Sequence, residues 1–190
     1  MLLLMEISSG RDDADAHETI EQTLAAGLEE GIVADATIAA SLEQARLFWR
    51  MRHASSEAQN PAGLSVKHDV SVPVERVPEF IARGVAAVVS AVPGIRPCPF
   101  GHVGDGNIHF NFSQPPGMEP QAFRVRAPEI HAIVHSIVAE MGGSIAAEHG
   151  IGRYKCELLK KAKSELELQM MRKIKSAFDP NNILNPGRVI

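Results

Sequence analysis

The sequence has 190 residues with 19 lysines and arginines, 23 aspartates and glutamates, and a formal net charge of −4 at pH 7. This length predicts one domain, or one domain with a helical appendage, and is sufficient for a hydrophobic core. The scattered basic residues argue against a nucleic-acid-binding surface, and no apolar segment reaches the roughly 20 residues of a membrane span. Two cysteines without a Cys-x-x-Cys pair predict a reducing, cytoplasmic setting.

The first half of the chain predicts strands interleaved with helices. Residues 2–8 are apolar and predict a strand rather than a signal peptide, because a basic n-region and a cleavage site are missing. Helices are predicted from about residue 12 to 30 and over residues 36–59, where apolar residues recur with the helical period. In LSVKHDVSVPV, Val66 and His68 alternate with polar residues, which is typical of a half-buried strand.

The second half continues the same pattern. It predicts a helix over 75–92, one or two strands with a hairpin over 95–113, a helix over 127–141, and a charged helix over 153–178 before a Pro- and Gly-rich tail. Hairpin strands indicate antiparallel pairing, so the sequence predicts an α+β fold with an antiparallel sheet and helices on one face. The other face would meet solvent, a ligand or another domain.

Two histidines flank the turn of the predicted hairpin, in PFGHVGDGNIHFNF. If Asp105 and Gly106 form a two-residue turn, His102 lies directly opposite His109 and both rings share one face. Opposed Cβ atoms about 4.5–5.5 Å apart would allow both rings to bind one metal ion. A turn one residue further along would instead place His102 opposite Asn111. Two interpretations stay open: a metal-binding pair, or two polar residues on an exposed sheet face.

The segment AAEHGIG offers a third ligand. Glu148, at the end of a predicted short strand, would complete a set of two histidines and one carboxylate, which leaves a coordination position open for substrate. His149 would then be available for another task if the chain turns at Gly150. The alternative is that Glu148 caps a helix starting near Arg153. The other histidines are assigned structural roles, including two spaced i, i+4 on one helix: His17, His53, His68, His131 and His135.

Four segments in order carry a family resemblance: LFWRMRHASSEAQNPAGLSVKHDVSVPVERVPEF, GHVGDGNIHFN, AAEHGIGRYKCELL and IKSAFDPNNILNPGRV. They resemble the C-terminal half of the FAD-linked D-2-hydroxyacid dehydrogenases, which include D-lactate dehydrogenase, D-2-hydroxyglutarate dehydrogenase and the glycolate oxidase flavin subunit. The resemblance implies a ferredoxin-like substrate domain over residues 1–150 and a helical, flavin-facing region over 151–190. It also implies FAD bound mainly by a separate N-terminal domain or partner chain.

The resemblance also assigns roles to individual side chains. It implies that His102, His109 and Glu148 bind a divalent metal, with zinc expected, and that His149 takes the substrate hydroxyl proton. These types suit the chemistry, because loss of hydride from a 2-hydroxy acid requires that the hydroxyl proton also leave. The remaining implied positions hold the substrate carboxylate, line the substrate pocket or lie near the flavin: Arg52 and Lys67, Ser56 and Asn111, and Asn185, respectively.

Two departures from the family pattern affect these expectations. His53 follows Arg52 where family members often carry glutamate, which is expected to alter substrate choice. The chain is also too short to hold an FAD-binding half, which needs roughly 200 or more further residues. It is therefore expected to be an isolated domain, a truncated gene product or a natural subunit, and to be inactive alone.

The leading hypothesis is the substrate- and metal-binding domain of an FAD-dependent enzyme that oxidises a D-2-hydroxy acid to the 2-keto acid. The alternative is a non-catalytic metal-binding or assembly module from the same family, and retention of Arg52, Lys67, His149 and Asn185 favours the first. A metal-dependent hydrolase ranks last because no oxyanion donors can be identified. Expected partners are a small 2-hydroxy acid, an FAD-binding domain or subunit, and a second copy of the chain through uncovered apolar surface.

Overall fold

The computed structural model describes residues 2–11 and 13–190. These residues form six α-helices and a small antiparallel sheet, so the predicted α+β class is confirmed. The chain divides into two compact units, Met1–Ala58 and Gln59–Ile190. Within the described ranges, no helix is both long enough and apolar enough to cross a membrane.

The first unit contains two helices, α1 (Asp13–Glu29) and α2 (Leu42–His53), followed by a 3-10 turn over Ala54–Ser56. Ser41 is extended and caps α2, because its hydroxyl oxygen accepts a hydrogen bond from the Gln44 backbone N–H at 3.2 Å. This cap sets the start of α2.

Two predictions for this unit need correction. The helix predicted over 36–59 is shorter at both ends, since the Ser41 cap starts it late and a tighter turn ends it early. The strand predicted over 2–8 does not form, because this segment makes no ladder hydrogen bonds in the described structure. Leu2 and Leu3 are instead exposed, at 98% and 64%, while Leu4 and Ile7 are half-buried.

The sheet lies in the second unit and is centred on β4. One edge of β4 pairs along the whole of β3, and the other edge pairs with β1 and then β2. Ser71 also bridges Ser144, so the chain after the last sheet-packing helix reaches the outer edge. This order is the ferredoxin-like arrangement. The strands are β1 (Ser65–Val66), β2 (Asp69–Ser71), β3 (Arg96–His102) and β4 (Asn107–Ser113).

Two helices, α3 (Val77–Ala91) and α4 (Pro120–Glu140), pack on one face of this sheet. Alternation along β4 directs its apolar residues toward these helices, and Phe110 is fully buried there. Gly84 on α3 permits close packing, since a Cβ at that position would lie 2.6 Å from a Phe110 ring carbon. The core is therefore on the helix side, and the opposite sheet face is left for polar residues.

The C-terminal region contains α5 (Cys156–Ala162) and α6 (Glu165–Phe178). The single charged helix predicted over 153–178 is divided because Ser164 is extended and forms a capping box with Glu167. The predicted domain boundary at residue 150 stays a prediction.

Candidate functional site

The hairpin that carries the two histidines has a longer loop than the sequence predicts. Val103–Asp105 form a 3-10 turn, and Gly106 completes the loop with a left-handed φ of 74°. The Asp105 carboxylate accepts a hydrogen bond from the Asn107 backbone N–H at 3.0 Å. The loop therefore has four residues, a length that is common around a tight turn.

The longer loop changes the register of the hairpin. His102 pairs with Asn107, and His109 pairs with Phe100, so the predicted direct opposition of His102 and His109 is wrong. The alternative pairing of His102 with Asn111 is also wrong. The observed register differs from the predicted one by two residues, and an even shift keeps every side chain on its face. Both histidines consequently lie on the sheet face opposite the helices.

Glu148 brings these two imidazoles to one point. Its carboxylate lies 3.2 Å from His102 Nδ1 through one oxygen and 3.5 Å from His109 Nε2 through the other. The Asn107 side-chain amide donates a hydrogen bond to the first oxygen. The His109 side chain is 17% exposed, whereas Glu148 and His102 are 41% and 53% exposed. The cluster is open to solvent on one side and anchored on the other.

The spacing around Glu148 can be compared with the ligand spacing around a small divalent cation. An ion held tetrahedrally at about 2.0–2.1 Å would separate neighbouring ligand atoms by about 3.4 Å, close to both Glu148–imidazole distances. Glu148 does not cap the following helix, because α5 has no side-chain cap hydrogen bond at its N-terminus. The segment before Glu148 is also not the predicted strand; only Ser144 makes a bridge.

A buried carboxylate, Asp69, holds the turn that contains Glu148 and His149. Asp69 accepts backbone hydrogen bonds from Glu148 at 3.1 Å and His149 at 2.8 Å, and its Oδ2 lies 3.4 Å from His149 Nδ1. Burial acts to raise the pKa of Asp69, but these two backbone donors, with the His149 and Lys155 charges, hold it below its usual value. The carboxylate is therefore ionised and directs the His149 ring.

His149 is placed beside the two-histidine cluster. Its ring centroid is 5.8 Å from that of His109, and its side chain is 68% exposed. With Nδ1 facing Asp69, the other ring nitrogen is left toward solvent. An imidazole in this position can exchange protons with a molecule bound near His109.

Two further predicted positions lie on the same unit. Asn111 is buried, and its side-chain oxygen accepts a hydrogen bond from the His68 backbone N–H at 3.2 Å, where the edge strand is interrupted between β1 and β2. Lys67, within that interruption, is exposed. The Asn111 side chain thus supplies a hydrogen-bond acceptor to a buried backbone N–H, a role that the sequence did not predict.

The remaining predicted positions are Arg52, Ser56 and Asn185. Arg52 is in the last turn of α2 and Ser56 ends the following 3-10 turn, where its hydroxyl donates to the His53 carbonyl at 3.5 Å. Asn185 lies in the C-terminal tail with a left-handed φ of 48°, which asparagine tolerates. The tail is tied back by a hydrogen bond of 2.8 Å from the Val189 N–H to the Gly152 carbonyl.

Comparison with known proteins decides the family. The family model described as FAD linked oxidases, C-terminal domain, matches residues 1–189. The chain belongs to this family of FAD-linked oxidase C-terminal domains.

Relatives of this FAD-linked oxidase domain carry one recurring name. The chain is 35% identical over 180 residues to D-2-hydroxyglutarate dehydrogenase of Stutzerimonas stutzeri, covering 93% of this chain and 39% of that protein. It is 35% identical over 185 residues to the mitochondrial D-2-hydroxyglutarate dehydrogenase of Arabidopsis thaliana, covering 96% and 31%. The mitochondrial enzyme of Rattus norvegicus is 30% identical over 192 residues, covering 99% and 34%. The chain thus spans about a third of the length of these relatives.

Sequence reasoning missed two residues of this FAD-linked oxidase domain. Alternation with the apolar residues of its strand predicts an exposed position for Asp69, but Asp69 is 5% exposed. Asn107 directly follows the turn and its position predicts no site role, although its amide contacts Glu148. The polarity of Asp69 on a strand was a usable signal, but its burial depends on a segment 79 residues later in the sequence.

Proposed function

We propose that this chain is the substrate- and metal-binding domain of an FAD-dependent enzyme that oxidises a D-2-hydroxy acid to the 2-keto acid. One observation carries the proposal: the Glu148 carboxylate lies within 3.5 Å of a nitrogen of both His102 and His109, with His149 beside them. Family membership supports FAD as the cofactor, bound mainly by a separate domain or chain.

Zinc is the metal that we propose for His102, His109 and Glu148. Two imidazoles and one carboxylate are a zinc donor set that leaves a fourth position for substrate. The buried side-chain oxygen of Asn107, whose amide nitrogen contacts Glu148, lacks a hydrogen-bond partner among the described groups, so one polar atom beside the proposed site is unsatisfied. When bound, the cation would supply Lewis acidity toward the substrate hydroxyl, and the flavin would supply the redox chemistry.

His149 is the proposed base for the hydroxyl proton. With Nδ1 directed to Asp69, its Nε2 carries the lone pair and accepts the proton. The ionised Asp69 then stabilises the imidazolium that forms. A non-catalytic metal-binding module would need Asp69 to hold the turn of Glu148 but would not need an oriented His149, so the placement of His149 favours catalysis over that alternative.

The substrate carboxylate is the proposed ligand of Arg52 and Lys67. A guanidinium binds a carboxylate through two parallel hydrogen bonds, whereas an ammonium acts as a point charge. Ser56 ends the 3-10 turn that follows α2. We propose Ser56 on the first unit and Asn111 on the second as further substrate-contacting residues, with Asn111 supporting the backbone next to Lys67.

The flavin-binding partner is proposed to cover the C-terminal tail around Asn185. Three apolar side chains are exposed there: Phe178 at 81%, Ile183 at 73% and Leu184 at 58%. Exposed apolar patches of this kind commonly mark partner sites. Asp179 stabilises this tail by accepting backbone hydrogen bonds from Ile183 and Leu184 at 2.8 and 3.0 Å. We also propose that two copies of the chain can associate through this same patch.

The names of the relatives make D-2-hydroxyglutarate the first substrate to test, with D-lactate and glycolate as the other candidates. A reducing compartment is proposed because Cys98 and Cys156 are both free in the described structure. The cytoplasm fits this proposal, although several relatives carry the word mitochondrial in their names.

Reconstitution tests the proposed function. The zinc-loaded chain would be mixed with a flavin-loaded FAD-binding half from a relative, and each of the three acids would be supplied with an artificial electron acceptor. We expect acid-dependent acceptor reduction that needs both polypeptides. Glu148→Gln should abolish it, whereas the matched exposed variant Glu157→Gln should retain it. Binding of the two polypeptides without turnover of any acid would contradict catalysis and support the assembly module.

A further inference from the structure

Three other histidines meet on the helix side of the sheet. His68 lies between β1 and β2, and His131 and His135 lie one turn apart on α4. One ring nitrogen from each lies within 4.8 Å of the others. The ring centroid of His68 lies 4.7 Å from the ring centroid of His131 and 5.6 Å from that of His135. We refer to these three residues as the core histidine cluster.

The orientation of His68 is fixed by a backbone carbonyl. Its Nδ1 lies 2.7 Å from the Phe110 carbonyl oxygen, and because a carbonyl only accepts, Nδ1 carries the proton. Nε2 therefore directs its lone pair into the cluster, where His131 Nδ1 lies 2.9 Å away. A histidine that binds a metal through one nitrogen typically donates its other N–H to a carbonyl or carboxylate in this manner.

His135 has an unsatisfied nitrogen. Its Nδ1 is buried and has no hydrogen-bond partner among the described groups. A buried polar atom without a partner is unfavourable, so such an atom calls for an explanation. Burial also lowers the pKa of His68 to about 3 and that of His135 to about 4, which keeps both imidazoles neutral at pH 7. Neutral imidazole is the form that binds metals.

We propose that His68, His131 and His135 form a second metal site, for Zn²⁺ or a similar first-row transition ion. Imidazole nitrogens suit zinc, copper, nickel and cobalt, whereas calcium and magnesium prefer oxygen ligands. Neighbouring ligands of a tetrahedral zinc ion lie about 3.4 Å apart. The observed nitrogen separations, from 2.9 Å up to at most 4.8 Å, span this value. The site is distinct from that of Glu148, because it lies on the opposite face of the sheet.

Lys155 is a positive charge that acts on the core histidine cluster. Its ammonium would also repel a cation. Two features limit that repulsion: Lys155 donates a hydrogen bond to the Ile145 carbonyl at 2.6 Å, and the negative Asp69 is close enough to act on it. A neutral residue in place of Lys155 should therefore strengthen metal binding by the cluster.

Metal titration of the full chain tests this site separately from the first one. Chelator-treated protein would be titrated with Zn²⁺ against a chromophoric competitor, and with Co²⁺ to follow the visible absorption of tetrahedral coordination. We expect a variant with both His102→Ala and Glu148→Gln to retain one ion. Adding His135→Gln or His131→Gln to this variant should lower its affinity for the remaining ion by about 10- to 100-fold. Lys155→Met should tighten it, and the exposed His17→Gln should leave it unchanged.

The outcomes of this titration are distinguishable. If the His102→Ala, Glu148→Gln variant binds no ion, or if neither cluster substitution changes its affinity, the second site does not exist while the first can still stand. If instead only substitutions in the core histidine cluster remove metal, the second site is supported, and the metal proposed at His102, His109 and Glu148 is contradicted. Circular dichroism of each metal-free variant establishes that it is folded, and the two separate cluster variants guard against one misfolding.

Discussion

The two faces of the sheet place the same type of side chain in opposite surroundings. On the polar face, the imidazoles of His102, His109 and His149 stand beside two carboxylates and are reached by solvent. On the helix face, the core histidine cluster contains no carboxylate, and His68 is only 3% exposed. The contrast arises from strand alternation, which sends adjacent residues to opposite faces.

These two surroundings determine which chemistry each group of histidines can perform. On the polar face, the ionised Asp69 lies beside His149 Nδ1 and orients that ring for proton transfer. Burial on the helix face disfavours the protonated form and leaves lone pairs that only a hydrogen-bond donor or a metal ion can satisfy. The polar face is accordingly suited to catalysis, and the helix face to metal binding without acid–base work.

The largest expected effect concerns His149. Replacing it with glutamine in the reconstituted enzyme should lower kcat by about 100- to 10,000-fold, the usual contribution of a general base. The zinc content of the chain should not change, because His149 is not one of the proposed ligands. Steady-state kinetics together with elemental analysis measure both quantities. If the variant instead loses zinc, and its kcat decreases only in proportion to the lost zinc, His149 is a metal ligand and not the base.

Asp69 is expected to contribute to both stability and orientation. Asp69→Asn removes a charged acceptor of two backbone N–H groups, which should lower the free energy of unfolding by about 1.5–3 kcal/mol at pH 7. The pKa of Asp69 is lowered on folding, so this contribution is present above its ordinary pKa of 3.8 and is lost as the pH falls through the folded value. Urea denaturation of both proteins should therefore converge at low pH; a constant difference would contradict the ionised state.

The core histidine cluster is expected to make the metal-free chain sensitive to mild acid. The pKa of His68 falls from 6.5 to about 3 on folding, so between these values the unfolded chain binds more protons and stability decreases as the pH falls. One such histidine changes the free energy of unfolding by about 1.4 kcal/mol per pH unit, or about 2 kcal/mol between pH 6.5 and 5. Denaturation in the presence of chelator should reveal this slope. A stability that is flat over this range would show that the cluster is not held neutral.

An exposed histidine gives the smallest expected effect and the reference for the others. His17 and Glu21 on α1 form an i, i+4 pair at 3.2 Å with both side chains more than half exposed. His17→Gln should change the free energy of unfolding by less than about 0.5 kcal/mol, because exposed pairs are screened by water. A decrease in the free energy of unfolding as large as that of Asp69→Asn would contradict this expectation. It would mean that a carboxylate partner determines how much a histidine contributes to stability, whether or not the pair is buried.

Local sequence patterns were sufficient for the fold class and for which face each strand residue occupies. Alternation placed His68 with the core and His102 with His109 on the polar face, and the second assignment holds for any even change in loop length. The register did depend on it, and the Gly-Asp-Gly segment is compatible with both a two-residue turn and the observed 3-10 turn closed by Gly106. Local propensities do not separate these two turns.

Contacts between distant segments were beyond local patterns. Glu148 is a candidate third ligand from the residue types of AAEHGIG, and the family resemblance implies the same role, but the local sequence alone left a helix cap as the alternative. Nothing in the intervening sequence fixes where that turn lies. The burial of Asp69 depends on the same turn. The core histidine cluster depends on the packing of α4 against the sheet, which brings His131 within 2.9 Å of a residue 63 positions earlier. Each histidine alone has the spacing of an ordinary structural residue.

The zinc content of the purified chain determines whether Glu148 and His102 hold a metal ion. After loading with Zn²⁺ and removal of excess by gel filtration, elemental analysis would compare the wild type with His102→Ala, Glu148→Ala and the exposed control His17→Ala. We predict that each of the first two variants loses one zinc ion per chain relative to the wild type, while the control retains the full amount. Equal zinc content in all four proteins would contradict a metal site at Glu148.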